Sequence, residues 1–190
     1  FSKKIYWCAG STHRGEEIFC IKTHTELKNY YKNFVTIIIP RHINRKFELI
    51  NVFKENKLNF HCHSWNKKVR DDTEIYLVDT YGESSLFYKI CKTVFMGGSL
   101  VSHGGQNPLE ASRLGCKIIH GPHTNNFKDI YKLLQKLGVS ELANTNNKLT
   151  RLVKRNIKTN ENSTLIIKKI EKMGIKIKEL TLKELTQELN

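Results

Sequence analysis

Short apolar runs alternate along this chain with stretches in which apolar residues recur at helical spacing. Residues 35–39, Val-Thr-Ile-Ile-Ile, form a β-branched run of the kind that is buried on both faces of a parallel sheet. Further short runs predict strands at residues 5–9, 59–63, 74–78, 93–96 and 117–120. Between and after them, helical spacing predicts helices at residues 16–31, 45–57, 83–90, 107–114 and 127–137.

This alternation of strand, loop and helix predicts the fold class. Short connections between alternating elements are typical of an α/β domain in which right-handed crossovers join a mainly parallel sheet. We therefore expect a Rossmann-like, doubly wound sheet. Ligands of such sheets bind outside the carboxyl ends of the strands, so that edge is where we expect a site.

Polar or glycine-rich segments follow five of the predicted strands, at the edge where their carboxyl ends would lie. These segments are Ser11-Thr12-His13, Pro40-Arg41-His42, Tyr81-Gly82-Glu83, residues 97–110, and Gly121-Pro122-His123. Their convergence is a stronger indication of a binding crevice than any one of them.

The segment at residues 97–110, Gly-Gly-Ser-Leu-Val-Ser-His-Gly-Gly-Gln-Asn-Pro-Leu-Glu, carries the clearest signal. Its two glycine pairs permit positive φ and close approach of the backbone to a ligand. Asn107 suits an N-cap, Pro108 suits the first helical position, and Glu110 falls in the first turn. Free N–H groups at a helix start bind phosphate, and Glu110 would accept hydrogen bonds from sugar hydroxyls. The segment therefore predicts a nucleotide pocket.

The net charge of +14 changes this picture little. Lysine outnumbers arginine by 25 to 7, and asparagine and isoleucine are also abundant, a bias that an AT-rich genome produces. The chain has no arginine-rich or aromatic-interleaved block that would read bases. We expect a solvated lysine-rich surface and no nucleic-acid partner; an anionic membrane surface is as good a partner for any basic patch.

Cysteine and histidine positions argue against a disulfide framework and against a metal centre. The five cysteines are scattered and lack a Cys-x-x-Cys pair, which favours small buried hydrophobes in a reducing compartment. On a strand, only His61 and His63 of the His-Cys-His triplet share a face, so we expect no metal. The sequence also predicts no signal peptide and no transmembrane helix.

Composition changes after about residue 144. Residues 145–190 contain 9 lysines, 2 arginines and 5 glutamates, with Asn and Thr between them. We predict a nucleotide-binding domain at residues 1–144 and a helical tail at 145–190 that is poorly packed near its end. Ile166, Ile170 and residues 180–189 are its amphipathic positions, and no function can be inferred from them.

Six motifs in order resemble the 3-deoxy-D-manno-octulosonic acid (Kdo) transferases of lipid A assembly in Gram-negative bacteria. The resemblance runs from about residue 5 to 138, and together the motifs are highly specific. They comprise residues 9–17 (Ala-Gly-Ser-Thr-His-Arg-Gly-Glu-Glu), 40–42 (Pro-Arg-His), 79–83 (Asp-Thr-Tyr-Gly-Glu), 97–101 (Gly-Gly-Ser-Leu-Val), 104–110 (Gly-Gly-Gln-Asn-Pro-Leu-Glu) and 121–127 (Gly-Pro-His through Asn-Phe). Tyr81 stands where the family more often has Met, and residues 145–190 match poorly.

The resemblance implies the C-terminal, donor-binding half of a GT-B glycosyltransferase, which transfers Kdo from CMP-Kdo to the lipid A precursor without a metal or other cofactor. It implies CMP contacts at nine residues and further donor contacts at five. The CMP contacts are Pro40, Arg41, Tyr81, Gly82, Glu83, Asn107, Pro108, Leu109 and Glu110. The possible donor contacts are Ser11, His13, His42, Gly98 and Ser99.

Residue chemistry agrees with these assignments and leaves several alternatives open. The Arg41 guanidinium fits a phosphate bidentately, although a lone arginine after a strand would be read as a surface residue. Glu83 either contacts the nucleotide or caps the following helix. Glu110 suits the ribose hydroxyls or a helix dipole. His13 and His42 contact the donor or merely close their turns.

The family also implies parts that lie outside these 190 residues. Its acceptor domain, its N-terminal membrane anchor and its catalytic glutamate are expected elsewhere, so we expect no catalytic residue in this chain and no turnover by it alone. The expected location is the cytoplasmic face of the inner membrane, with this segment itself soluble. Two alternatives remain open: a GT-B domain for another nucleotide sugar, and a non-catalytic binding remnant of a split gene.

Overall fold

In a computed structural model that describes residues 4–158 and 163–188, seven parallel strands form one sheet with helices on both faces. The strands are β1 (Ile5–Thr12), β2 (Phe34–Pro40), β3 (Phe60–Cys62), β4 (Ile75–Leu77), β5 (Thr93–Met96), β6 (Lys117–His120) and β7 (Ser140–Leu142). The helices are α1 (Glu16–Lys28), α2 (Lys46–Glu55), α3 (Ser84–Ile90), α4 (Leu109–Arg113), α5 (Lys128–Lys136), α6 (Asn146–Lys158) and α7 (Ser163–Glu188).

The strand order, β3-β4-β2-β1-β5-β6-β7, confirms the predicted doubly wound sheet. Strand β1 pairs with β2 on one side and with β5 on the other, so the order of the chain reverses at β1. Ligand sites of such sheets lie where the order reverses, at the carboxyl ends of the strands. The loops that follow β1 and β5 therefore flank the expected crevice.

Side-chain alternation along the strands fills two cores. Cys8 packs on one face of the sheet with residues of α3, α4 and α5, whereas Trp7 and Ala9 pack on the other face with α1 and α6. All seven residues of β2 are buried because both of its faces are covered, which agrees with its β-branched sequence.

Most predicted elements were correct in type, with shifts at their ends. Strands β5 and β6 have the predicted bounds, whereas β3 and β4 are three residues long rather than five. Strand β7 was not predicted. Its sequence, Ser-Glu-Leu, is short and half polar because it lies at the edge of the sheet, where it pairs with β6 alone.

The helical tail that we predicted at residues 145–190 contains helices α6 and α7 in its described part, residues 145–158 and 163–188, and both helices pack on the rest of the domain. Helix α6 lies against α1, and its Leu149, Leu152 and Val153 belong to the same core as Trp7. The start of α7 is packed too, because Ile166 and Ile170 are 2% and 4% exposed. The boundary at residue 144 therefore falls within a packed unit; the lysine-rich outer face of α6 hid its apolar stripe, whereas the buried positions of α7 are those named from the sequence.

Beyond its first turns α7 becomes exposed, as at Ile175 and Leu180. Weak packing near the end stays a prediction, and residues 189 and 190 of the predicted tail lie outside the described residues. None of the helices within residues 4–158 and 163–188 combines the length and apolar character that a membrane crossing requires.

Candidate functional site

Backbone hydrogen bonds join the loops at the carboxyl edge of the sheet. The Arg41 N–H donates to the carbonyl of Thr12 at 2.9 Å, which holds the loop after β2 against the end of β1. The His123 N–H donates to the carbonyl of Ser99 at 2.9 Å, which holds the loop after β6 against the glycine-rich loop. Four of the five predicted segments are therefore linked in pairs.

Glycine is required where these loops cross. A Cβ atom on Gly97 would lie 2.2 Å from the carbonyl oxygen of Ser11, and one on Gly121 would lie 2.2 Å from that of Ser99. Both obstacles are backbone atoms, so they cannot move aside as a flexible side chain would. The glycines thus allow the ends of β1, β5 and β6 to approach one another.

The carboxylate of Glu16 fills the inside of the glycine-rich loop. Its Oε2 accepts hydrogen bonds from the backbone N–H of His13 at 2.9 Å and of Gly98 at 2.7 Å. Its Oε1 accepts from the N–H of Ser99 at 3.0 Å and of Leu100 at 2.9 Å. Glu16 is fully buried, so a concave set of N–H groups of the kind that binds anions already holds an internal one.

This arrangement changes the expectation for two predicted donor contacts. The backbone N–H groups of Gly98 and Ser99 are engaged by Glu16, and both residues are buried. The Ser99 hydroxyl donates to the Met96 carbonyl and accepts from the Gly121 N–H, at 2.6 and 2.8 Å. Neither residue therefore offers a free backbone donor to a ligand, and Ser99 shapes the loop.

Three histidines meet above the glycine-rich loop. The rings of His13 and His103 stack with their centroids 4.2 Å apart, and the His42 ring lies edge-on to His13 at 5.8 Å. The amide nitrogen of Gln106 lies 3.1 Å from His13 Nε2. Because an amide nitrogen only donates, His13 Nε2 accepts this bond and carries no proton.

The electrostatic environment keeps His13 neutral at pH 7. Burial lowers the pKa of His13 to about 4, and the neighbouring His103, His42 and Arg41 act in the same direction. Arg41 itself is exposed, and within residues 4–158 and 163–188 no carboxylate pairs with it. This edge of the sheet therefore presents the exposed charge of Arg41 beside the imidazoles, which suits an anionic ligand.

The loop after β4 is anchored by its carboxylates. Asp79 accepts hydrogen bonds from the N–H and hydroxyl of Ser64, at 2.9 and 2.6 Å. Glu83 pairs with His63 Nε2 at 3.2 Å and accepts from the Thr80 hydroxyl. The Thr80 hydrogen bond is the main reason that the pKa of Glu83 is lowered. Glu83 immediately precedes α3 without a side-chain cap bond, so the open alternative of a capping role has no support.

Tyr81 and Gly82 project into solvent at the tip of this loop. Tyr81 is 69% exposed, and Gly82 has a φ of 82°. Among the described residues, no heavy atom lies within 4 Å of the place that a Cβ atom on Gly82 would take. Such an exposed tip is free to contact a ligand in the crevice.

Helix α4 starts one to two residues later than predicted. It begins at Leu109, with Pro108 rather than Asn107 at the N-cap position. Asn107 still contributes, because its Oδ1 accepts from the N–H of Leu109 at 3.0 Å. Glu110 is exposed, and its carboxylate accepts from the Ser84 hydroxyl at 3.1 Å, which joins α4 to the start of α3.

Ser11 closes β1 in a strained conformation. Its φ is 53°, in a region that favours glycine, and its hydroxyl is hydrogen-bonded to the buried phenol of Tyr88. The Ser11 hydroxyl is therefore engaged by Tyr88, although the residue itself is only half-buried.

Three residues of the site were missed in the sequence. Gln106 and His103 lie within the glycine-rich segment, but their contacts with His13 join residues about ninety positions apart. Glu16 looked like an ordinary acidic residue in a first helical turn. Only the Gly15-Glu16 step after a strand could have indicated that its carboxylate turns back toward the loops.

Both histidines of the His61-Cys62-His63 triplet contact Tyr76. His61 stacks on Tyr76 with centroids 5.5 Å apart, and His63 Nδ1 lies 2.7 Å from the Tyr76 hydroxyl. In the part of the chain that the structure describes, no group of three or more His, Cys, Asp or Glu side chains is arranged to hold a metal ion.

Comparisons with known proteins identify relatives of one kind. The chain is 37% identical over 156 residues to the 3-deoxy-D-manno-octulosonic acid transferase of Haemophilus influenzae, which covers 82% of the chain and 36% of the relative. It is 33% identical over 162 residues to the enzyme of that name from Aquifex aeolicus, covering 82% and 44%. The chain thus spans less than half the length of these relatives. No protein-family model matches it.

A solved structure matches the fold over nearly its whole length. It is the C-terminal CMP-Kdo binding domain of WaaA from Acinetobacter baumannii, with a TM-score of 0.82 and 25% identity, covering 89% of the chain and 88% of that domain. The match confirms the Rossmann-like fold of the C-terminal half of a GT-B glycosyltransferase. By sequence and by fold, the chain corresponds to the C-terminal domain of the 3-deoxy-D-manno-octulosonic acid transferases, as the six motifs indicated.

Proposed function

We propose that this chain is the donor-binding domain of a Kdo transferase and binds CMP-Kdo at the carboxyl edge of its sheet. The observation that carries the proposal is the match over 89% of the chain to a domain described as binding CMP-Kdo. The predicted contact residues lie along the same edge, on loops held together by backbone hydrogen bonds. Binding at such an edge is the general rule for open α/β sheets.

Arg41 is the proposed phosphate ligand. It is exposed and carries a permanent charge, and the hydrogen bond of its N–H to Thr12 holds its backbone in place. A guanidinium can contact two phosphate oxygens at once, which a lysine cannot do. His42 and His13 lie beside it and supply imidazole contacts to the phosphate or to the Kdo carboxylate.

The nucleoside is proposed to lie between two loops. Glu110 would accept hydrogen bonds from the ribose hydroxyls, since it is exposed and already held by Ser84. The loop at the end of β4 would close over the other side. Contacts in this region are proposed for Pro40, Tyr81, Gly82, Glu83, Asn107, Pro108 and Leu109.

The donor-sugar contacts are proposed chiefly for the two histidines. Ser11, Gly98 and Ser99 have their polar groups engaged within the protein, so their proposed part is to shape the pocket. This division follows from the hydrogen bonds described above.

The proposed reaction is direct displacement at the anomeric carbon of Kdo. An acceptor hydroxyl oxygen forms the new bond to that carbon, and the bond from the carbon to the CMP phosphate oxygen breaks. CMP leaves with the bonding electron pair, and a base takes the hydroxyl proton. This domain would hold the leaving phosphate through Arg41, whereas the base, the glutamate that the family resemblance implies, would come from the acceptor domain.

The acceptor and the location are proposed from the same family relationship. The acceptor would be the lipid A precursor, bound by the acceptor domain at the cytoplasmic face of the inner membrane. This domain would approach the membrane only through that partner domain, and no cofactor is required.

Titration of CMP into the purified chain tests the proposal. We expect CMP to bind in preference to UMP and GMP, and Arg41→Ala and Glu110→Gln each to weaken binding by about tenfold or more, since each removes a hydrogen bond involving a charged group. Isothermal calorimetry measures the three nucleotides under the same conditions.

Two matched variants control for nonspecific effects. Arg70→Ala removes an exposed arginine, and Glu55→Gln an exposed carboxylate, both away from the carboxyl edge of the sheet. We expect CMP affinity to be unchanged in both. Equal binding of UMP or GMP would instead favour another nucleotide sugar, and absence of binding by a folded chain would contradict the proposal.

A further inference from the structure

We infer that Glu16 is a positioning residue of the donor site: its buried carboxylate joins the loop after β1 to the loop after β5 and holds His13 in place before any ligand binds. The inference rests on the proposed function in so far as it concerns donor binding. It concerns a residue that is not among the predicted contacts and that does not face the crevice.

The Glu16 carboxylate has hydrogen-bond partners in two loops. Four backbone N–H groups donate to one carboxylate at 2.7–3.0 Å, one from the β1 loop and three consecutive ones from the β5 loop. Residues 82 to 84 positions apart are thereby joined across the point where the strand order reverses. No other side chain in the described residues bonds to the N–H groups of both loops.

The charge of the buried Glu16 carboxylate requires compensation. Glu16 is 0% exposed, and burial of a carboxylate is costly unless hydrogen bonds compensate for lost water. The adjacent Glu17 is compensated by the Arg45 guanidinium at 2.7 Å, whereas the partners of Glu16 are backbone N–H groups alone. The buried Glu16 carboxylate is therefore stable only while the two loops keep this conformation, and the loop conformation in turn depends on Glu16.

Glu16 also fixes the position of residues on the ligand side of the loop. The same Oε2 atom binds the N–H groups of His13 and Gly98, and it thus fixes their separation. The His13 ring lies against Gly98, 3.3 Å from the place that a Cβ atom would take there. Gln106 then bonds to the free nitrogen of that ring. A loop ordered by an internal anion needs no ligand to order it, so binding avoids that entropic cost.

Glu16→Gln in the full chain tests this inference. A glutamine has one acceptor oxygen and one donor nitrogen, so two of the four N–H groups lose their partner. We expect amide hydrogen exchange at Gly98, Ser99 and Leu100 to accelerate by about tenfold or more, and CMP affinity to fall by about tenfold. We also expect the pKa of His13, followed by NMR, to rise from about 4 toward its ordinary value as the ring loses its burial.

Glu74→Gln is the matched control. Glu74 is a buried carboxylate at the start of β4, at the opposite edge of the sheet, where it accepts from the Asn59 N–H at 2.8 Å. The Glu74→Gln substitution should lower the overall stability. It should leave the His13 titration, the exchange of the Gly98 amide and the CMP affinity unchanged. Glu16→Asp, which keeps the charge but shortens the reach, should give a smaller effect than Glu16→Gln and serves if the latter does not fold.

The outcomes separate the two proposals. Unchanged exchange at Gly98 to Leu100 in a folded Glu16 variant would show that the carboxylate does not hold the loop. Faster exchange with an unchanged His13 pKa and unchanged CMP affinity would show that it does not position the site. If the wild-type chain bound no CMP, the proposed function would fail, while exchange and the His13 titration would still decide the role of Glu16.

Discussion

Two buried histidines, one before helix α1 and one within it, are held neutral by their surroundings. Burial lowers the pKa of both His13 and His24 to about 4. His24 is fully buried, and its Nδ1 lies 2.9 Å from the Thr36 hydroxyl, which also accepts from the Trp7 indole. Their protonation is therefore coupled to folding.

We expect the free energy of unfolding to fall as the pH drops from about 6.5 to 4. The unfolded chain binds protons near pH 6.5, before the folded one does, so the stabilising contribution is complete above that pH and is lost below it. For His24 the full loss is about 3 kcal/mol. Urea denaturation at several pH values measures it.

Carboxylates also titrate in this pH range, so the pH dependence of the wild type must be compared with that of a His24 variant. His24→Gln should have a shallower dependence of unfolding free energy on pH than the wild type between pH 6.5 and 4. An identical slope in the two proteins would mean that His24 titrates normally in the folded state.

At the scale of elements, helix α4 is the most dependent on its neighbours. It has five residues, too few to be stable alone, yet it carries Glu110 in its first turn. Helix α7 lies against it: a Cβ atom on Gly115, just after α4, would come within 2.6 Å of Ser163. Ile166 and Ile170 then fix α7 to Leu134 and Val139.

We expect Ile166→Ala to weaken CMP binding although the residue is remote from the site. The substitution opens a cavity and should cost about 2–4 kcal/mol of stability, loosening α7 and with it the start of α4. Calorimetric titration measures CMP affinity, and urea denaturation measures the free energy of unfolding. Leu27→Ala, in the core between the sheet and helices α1 and α6, should cost similar stability without changing CMP affinity. Equal CMP affinities in the two variants would argue against the coupling.

The elements also show what a sequence reveals and what it hides. Strands β5 and β6 were predicted with their correct bounds because buried parallel strands consist of apolar runs with glycine after them. Helix α6 was not assigned to the core because its lysines and arginines obscured a stripe of a few apolar residues, whereas Ile166 and Ile170 of α7 were named from the sequence. The proposed contact residues were inferred from motifs and stay a prediction, whereas the partners of Glu16 were not foreseen, since hydrogen bonds across 82 residues leave no local pattern.

At the scale of the whole molecule, the proposed function gives this domain the donor site alone and leaves the rest of the reaction to the acceptor domain. The acceptor hydroxyl and the base must be held in one geometry with the donor, and a separate domain provides no such geometry.

We therefore predict that the isolated chain transfers no Kdo to a lipid A precursor, even when it binds CMP. The assay would follow the radiolabelled acceptor with CMP-Kdo generated in place, with a full-length family member as the positive control. Kdo transfer above background by this chain alone would place a catalytic base within it and contradict the assignment.

The pairing of Glu16 with Gly98 also has a consequence for synthesis on the ribosome. At about 5–20 residues per second, roughly 4–16 s pass between translation of the two residues. During that interval β1 can pair with β2, whereas its other edge has no partner until β5 has been made. The nascent chain thus exposes an open strand edge and a hydrated carboxylate together, and the charge beside that edge discourages other chains from pairing with it until its partner arrives.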